Sequence, residues 1–172
     1  YFNLNGEGNG DILGHIFTLN ASEYLPTDAT QIPLGESAPV AGTPMDFVNG
    51  KPIGQDIKAD FEPLKIGKGY DHCWVIDGHE PGQIQFCCEL YAPESGRVME
   101  MYTTQPGVQV YTGNWLSGCP AGKSGHVYED YTGVAIECQN YPDAPNKPEY
   151  PSSELRPGEV YEQAIIFAFS VK

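Results

Sequence analysis

Apolar and polar side chains alternate with a period of two along much of the chain, which is the pattern of half-buried β-strands. No window of a dozen residues shows the apolar period of an amphipathic helix. The clearest alternation starts at Gly133, and it ends in the turn-forming residues Pro142 to Asn146. The pattern therefore predicts an all-β fold. In this stretch one strand face carries Val134, Ile136 and Cys138, and the other carries Ala135, Glu137 and Gln139.

The remaining strands are predicted from the same alternation and from the glycine and proline pairs between them. The final run, Val160–Val171, is apolar on both faces, so we expect a central, buried strand there. One helical turn is predicted over Gln55–Phe61, ending before Pro63. Residues Pro93–Gly96 are expected to join two strands as a hairpin. The other predicted strands are Ile12–Leu19, Glu23–Leu25, Tyr70–Ile76, Ile84–Tyr91, Arg97–Thr104 and Val108–Thr112.

Length, composition and charge narrow the class of protein. A chain of 172 residues is long enough for one domain with a sizeable core. Its 20 glycines and 15 prolines favour many short segments joined by turns. The net charge of −14 would repel phosphate backbones and anionic lipid surfaces, so nucleic acid and membranes are poor partners. Neutral ligands such as sugars are neither favoured nor excluded by this charge.

The cysteines and histidines do not form a metal-binding or disulfide pattern. The cysteine count of five is odd, and the adjacent Cys87 and Cys88 would point to opposite sides of a strand. Free thiols fit a reducing compartment, so we expect a cytoplasmic protein. No Cys-x-x-Cys or His-x-x-x-His spacing occurs, no phosphate-binding loop is complete, and no Gly-x-Ser-x-Gly segment is present. We therefore expect neither a metal nor a cofactor.

Glu137 is the first candidate functional residue, because a glutamate in the middle of a strand is disfavoured by β-propensity. If its strand face is open to water, the residue is part of an ordinary solvated surface. If that face lines a concave surface, the carboxylate is a fixed general base, since it is ionised at neutral pH without any tuning. The alternation alone leaves both interpretations open.

Besides the segment around Glu137, six stretches match a known family: Tyr1–Leu4, Glu23–Asp28, Gly69–His72, Tyr102–Gln109, Tyr111–Asn114 and Leu155–Glu159. They resemble the aldose 1-epimerases, also called galactose mutarotases, and they occur in that family's order. The resemblance covers nearly the whole chain and corresponds to the C-terminal half of a family member. It implies an antiparallel β-sandwich of the galactose mutarotase-like type, with residues 1–172 as the C-terminal portion of a single domain.

The resemblance also implies roles for individual residues. Glu137 corresponds to the family's catalytic base, and Asp71 and Gln109 correspond to residues that hydrogen-bond sugar hydroxyls. An ionised carboxylate can accept from two neighbouring hydroxyls, and an amide both donates and accepts. Gln105 is an alternative to Gln109 in the same segment, and His72 is a candidate for a supporting residue. Without the resemblance, Asp71 would be a turn cap and His72 a surface histidine beside it. Gln109 would then be one member of a cross-strand polar pair on a solvent-exposed face.

The implied reaction interconverts the α and β anomers of a free aldohexose, galactose or glucose. In the family a histidine just before the segment like Tyr1–Leu4 serves as the acid, so we expect it outside this sequence. We accordingly expect the N-terminal half of the same fold as a partner, and an inactive chain without it. A non-catalytic carbohydrate-binding module is the alternative function. A glycoside hydrolase, with Asp71 and Glu137 as its two carboxylates, is a third possibility.

Overall fold

The protein is described by a computed structural model that covers all 172 residues, and its regular secondary structure is almost entirely β. Ten strands form two antiparallel five-stranded sheets, which confirms the all-β fold that the alternation predicted. The elements in chain order are β1 Ile16–Leu19, β2 Glu23–Tyr24, β3 Ala38–Pro39, β4 Lys51–Pro52, α1 Glu62–Gly67, β5 Asp71–Val75, β6 Gln85–Tyr91, β7 Arg97–Thr103, β8 Gly107–Tyr111, β9 Ala135–Gln139, a 3₁₀ turn at Ala144–Asn146, and β10 Ile165–Val171.

The first sheet has the strand order β10-β7-β6-β1-β4, and the second has the order β3-β2-β5-β8-β9. The predicted hairpin is confirmed, because β6 and β7 pair antiparallel on either side of residues 92–96. A register irregularity between Phe86 and Cys88 interrupts this pair, and both Cys87 and Cys88 are buried. A bulge can turn two successive side chains towards the same side of a strand, and both cysteines belong to the buried core here.

The core lies between the two sheets and is completed by side chains from loops. Phe47, on the loop before β4, packs its ring 5.3 Å from Phe17 of the first sheet and 6.1 Å from Trp74 of the second. The indole N–H of Trp74 donates to the carbonyl of Met45 at 3.0 Å, so its buried polar atom is satisfied. Because the second sheet turns one face to this core, its other face is left to carry polar residues.

The short helix lies later in the chain than predicted. The sequence reading placed a helical turn over residues 55–61 and ended it before Pro63, whereas α1 begins at Glu62. Proline is favourable in the first turn of a helix, where its missing N–H would have no intrahelical partner. Pro63 therefore starts this helix rather than stopping one. The helix ends at Gly67 and is capped by Lys68 in a left-handed conformation: the N–H of Lys68 donates to the carbonyl of Lys65, and the N–H of Gly69 donates to that of Leu64.

The prediction of a central, buried last strand is wrong for this chain. β10 pairs only with β7, so it is an edge strand, and six of its seven residues are exposed. The side chain of Phe169 is 63 % exposed and that of Phe167 is 42 % exposed. Phe2 is their aromatic neighbour, with ring centroids 5.6 Å from Phe167 and 6.3 Å from Phe169. The apolar pattern is present, but these 172 residues supply no strand or layer that covers it.

Within this fold, no helix has the length and apolar character needed to cross a membrane.

Candidate active site

The outer face of the second sheet is built from three rows of residues that lie side by side across β5, β8 and β9. In an antiparallel sheet, directly opposed residues share a face, and every second residue of a strand returns to it. The pairing register therefore defines which side chains stand together. The first row is Asp71, Tyr111 and Ala135; the second is Cys73, Gln109 and Glu137; the third is Val75, Gly107 and Gln139.

The three residues predicted from the sequence, Asp71, Gln109 and Glu137, meet on this face. Gln109 lies directly opposite Glu137, a relation that brings Cβ atoms within about 5 Å of each other. The side-chain N–H of Gln109 also donates to a carboxylate oxygen of Asp71 at 2.8 Å. Asp71 and Gln109 are half-buried, whereas Glu137 is exposed. The cluster therefore offers carboxylate oxygens and an amide on one accessible surface, a donor and acceptor set suited to hydroxyl groups.

Tyr141 bounds the cluster on the side of the third row, and its position depends on Gly107. A Cβ atom at Gly107 would lie 3.0 Å from the Tyr141 ring and 3.1 Å from the sulfur of Cys73. The ring of Tyr141 in turn meets Tyr150 edge to face, with centroids 5.1 Å apart. The sequence reading treated Gly107 only as a break between strands. A glycine inside a strand also signals a close approach of another group, but only the fold identifies that group as Tyr141.

Tyr111, the central residue of the first row, bounds the cluster on the side opposite Tyr141. Its hydroxyl accepts the backbone N–H of Trp115 at 3.1 Å, and its ring meets that of Tyr1 edge to face at 6.1 Å. Burial raises the pKa of Tyr111, so the phenol stays protonated at neutral pH. The polar cluster thus lies between two tyrosines, 111 and 141.

Asn114 fixes the backbone just before Asp71. It is fully buried, and its amide donates to the carbonyls of Gly67 at 2.7 Å and Tyr70 at 2.9 Å. Its oxygen accepts the hydroxyl of Thr112 at 2.5 Å. Gly69 passes so close that a Cβ atom there would lie 2.5 Å from the Asn114 oxygen. The sequence reading included Asn114 in a matching segment without assigning it this role, because a hydrogen-bond network is invisible in a linear pattern.

His72 is a core residue, which contradicts the interpretation of a surface histidine. Its side chain is 1 % exposed, on the sheet face opposite Asp71, and its ring meets Trp74 edge to face at 6.2 Å. Burial lowers the pKa of His72 to about 4, so the imidazole is neutral at physiological pH. Its Nδ1 accepts the backbone N–H of Asp71 at 3.0 Å, which leaves the ring proton on Nε2.

Gln105, the alternative to Gln109, lies outside the cluster. It is buried, and its amide donates to the hydroxyl of Tyr161 at 2.8 Å. In the sequence, Gln105 lies before Gly107 of the third row, whereas Gln109 lies after it, in the second row. The structure therefore brings Gln109, and not Gln105, to the predicted carboxylates.

The other histidines make contacts away from the cluster. His15 is buried and its Nε2 accepts the backbone N–H of Leu4, and His79 bonds the amide of Gln85. His126 meets Tyr128 edge to face. No group of three or more His, Cys, Asp or Glu side chains is arranged to hold a metal ion. The side chains of the cluster itself offer hydrogen bonding and, through the two carboxylates, proton transfer.

Comparisons with known proteins agree on one family. The sequence profile described as aldose 1-epimerase matches residues 1–168. The galactose mutarotase of Homo sapiens is 45 % identical over 171 residues, covering 99 % of this chain and 48 % of its own length. The aldose 1-epimerase of Escherichia coli K12 is 37 % identical, covering 98 % of this chain and again 48 % of its own.

A solved structure gives the same result for the fold. The GalM/aldose epimerase homologue from C. elegans superimposes with a TM-score of 0.81 at 28 % identity, covering 96 % of this chain and 48 % of that one. The predicted antiparallel sandwich of the mutarotase type is thereby confirmed. The chain spans about half the length of the relatives it matches.

Proposed function

Since the chain belongs to the aldose 1-epimerase family, we propose that it carries the base and sugar-binding face of an enzyme that interconverts the α and β anomers of a free aldohexose. The observation that carries this proposal is the meeting of Asp71, Gln109 and Glu137 on one accessible sheet face. Galactose is the first substrate to test, because the names of the relatives specify it.

Glu137 is the base in this proposal. Its carboxylate takes the proton of the C1 hydroxyl, while an acid protonates the ring oxygen and the bond between C1 and that oxygen breaks. The open-chain aldehyde rotates about its C1–C2 bond, and the hydroxyl formed from the former ring oxygen then attacks the other face of the carbonyl. That hydroxyl returns its proton to the acid, and Glu137 returns its proton to the oxygen on C1. The exposed position of Glu137 supports this role, because a general base must reach its proton within about 3 Å.

Asp71 and Gln109 orient the sugar. The bond between them uses one N–H of the Gln109 amide and one lone pair of Asp71, so the remaining donors and acceptors are available to hydroxyls. Because each partner restrains the other, less side-chain entropy is lost when a sugar binds.

We further propose that these 172 residues form the C-terminal portion of one family domain and that another part of the fold supplies the acid. Two observations support this: the chain spans 48 % of its relatives, and none of the three rows of the site face contains a histidine, since His72 accepts the Asp71 N–H from the core side. A third is the exposed apolar surface of β10, which a further strand or layer would cover. We call this chain together with that complementary part the assembled enzyme.

The first test removes the amide of Gln109. In the assembled enzyme, Gln109→Ala should weaken galactose binding by about 1–3 kcal/mol, because a sugar hydroxyl and Asp71 both lose a partner. Titration calorimetry measures the affinity, and polarimetry of fresh α-galactose measures turnover. Gln139→Ala is the matched control, because Gln139 lies on the same face of the sheet, one row away from Gln109. This variant should retain the wild-type affinity. Equal affinities of wild type and Gln109→Ala would contradict the assignment.

The second test concerns the chain by itself. Residues 1–172 alone should not accelerate mutarotation, and their exposed apolar strand should cause self-association or binding of a hydrophobic dye. Phe169→Ser should reduce the self-association and the dye binding, since Phe169 is the most exposed aromatic residue of that strand. Sedimentation, dye fluorescence and polarimetry decide the matter. A monodisperse monomer with full activity would contradict the proposal and would require an acid within this chain.

We also propose a reducing compartment, the cytoplasm, for this protein. All five cysteines are free, and burial raises the pKa of the Cys73 thiol to about 12. The sulfurs of Cys87 and Cys138 lie 3.8 Å apart without a bond. Unpaired cysteines at this spacing support an environment that keeps thiols reduced.

A further inference from the structure

The backbone N–H of Asp71 points to a place where the sheet has ended. In β5, the carbonyl of Cys73 accepts from Leu25 on the side of β2, and alternate residues of an antiparallel strand address the same neighbour. Asp71, two residues earlier, therefore also faces the β2 side. There β2 has already stopped at Tyr24, and Pro26 follows. No strand is left to accept this N–H.

His72 fills the gap. Its Nδ1 accepts the Asp71 N–H at 3.0 Å, from a ring that is buried and wedged against Trp74. On the outer face, the Gln109 amide holds the Asp71 carboxylate at 2.8 Å. Asp71 is thus restrained through its backbone from the core side and through its side chain from the solvent side.

We propose that His72 is a positioning residue for sugar binding, which acts through Asp71 by accepting its backbone N–H with a neutral imidazole. The inference rests on the proposed function, because it assumes that Asp71 contacts the sugar. A histidine suits the task because its ring nitrogen provides an acceptor within an aromatic body that the core can pack. A carboxylate in this buried place would carry an uncompensated charge.

Two variants of His72 separate the acceptor from the packing. His72→Phe keeps an aromatic ring against Trp74 and removes the acceptor, whereas His72→Asn keeps an acceptor and removes the ring. In the assembled enzyme, His72→Phe should raise the galactose Kd by about ten-fold. The kcat should change less than the Kd, and His72→Asn should restore most of the affinity. Loss of affinity in the Asn variant with retention in the Phe variant would overturn the inference, because packing would then be what matters.

A double-mutant cycle tests whether the effect passes through Asp71. In an Asp71→Ala background, His72→Phe should change the galactose Kd by less than about two-fold, since the positioned carboxylate is already absent. A merely structural histidine would cost the same affinity in both backgrounds, and that result would overturn the inference. If Asp71→Ala alone leaves the affinity unchanged, the substrate-contact role of Asp71 fails, and the inference fails with it.

A measurement on the wild type covers the case in which His72→Phe does not fold. Nitrogen-15 NMR of the imidazole should report a neutral ring protonated on Nε2, and the Asp71 amide should be among those protected from hydrogen exchange. A ring protonated on Nδ1, or a rapidly exchanging Asp71 amide, would overturn the proposed contact. These signals do not depend on turnover, so they separate a failure of this inference from a failure of the proposed reaction.

Discussion

Glu137→Gln is expected to reduce galactose mutarotation by about 10²–10⁴-fold in the assembled enzyme, because general-base assistance has that magnitude. The substitution preserves the shape of the side chain and its place opposite Gln109, and it removes only the proton acceptor. Galactose affinity should change little, so the loss should appear in kcat. Polarimetry of freshly dissolved α-galactose measures the rate, and calorimetry measures the affinity.

Glu36→Gln is a suitable control for this experiment, because Glu36 is an exposed loop glutamate just before β3, at the opposite edge of the second sheet from β9. It should leave both rate and affinity at the wild-type level. A Glu137→Gln enzyme with near wild-type turnover would show that another group takes the C1 proton. A loss of galactose binding instead of kcat would assign Glu137 to orientation rather than to proton transfer.

The second large effect is expected at Asn114, where substitution acts on stability. Asn114→Ala removes the amide that bonds the carbonyls of Gly67 and Tyr70 and the oxygen that accepts from Thr112. A buried polar group left without a partner costs about 1–3 kcal/mol, so we expect a loss of roughly 2–4 kcal/mol in the free energy of unfolding. Urea denaturation measures it as a lower midpoint with an unchanged slope.

Asn146→Ala provides the comparison, since Asn146 is exposed and bonds only the nearby side chain of Asp143. Its midpoint should lie close to that of the wild type. Galactose affinity should also fall in Asn114→Ala, because the network holds the backbone from which Asp71 starts. A midpoint equal to that of Asn146→Ala would mean that water replaces the amide without cost.

The strands were predictable because their signal is local. Alternation within β9 and the hairpin between β6 and β7 depend on neighbouring residues, and both were confirmed. The helix was misplaced because Pro63 can either end a helix or begin one, and in this fold it lies in the first turn. β10 was predicted to be buried because an apolar strand implies a cover, but the pattern does not say which chain segment provides it.

The candidate site was only partly predictable. The three polar residues were found through their resemblance to family segments, and the pairing register then brought them together. Tyr141 and Asn114 were missed because each acts through a partner distant in sequence: Gly107 in one case and Gly67 in the other. For His72, the surface position expected without the resemblance is wrong, since burial depends on which face of β5 packs against the opposite sheet. Such relations exist only once the fold has formed.

The placement of the cluster on three separate strands has a consequence for refolding. Gln109 and Asp71 are 38 positions apart in the sequence, and the loop between Tyr111 and β9 must also close before Glu137 reaches them. Contacts of such long sequence separation form late and slowly, because loop-closure entropy is lost before they stabilise anything. Sugar binding during refolding should therefore appear in step with the slow assembly of the second sheet. An early collapsed state, even one rich in β-structure, should bind no galactose.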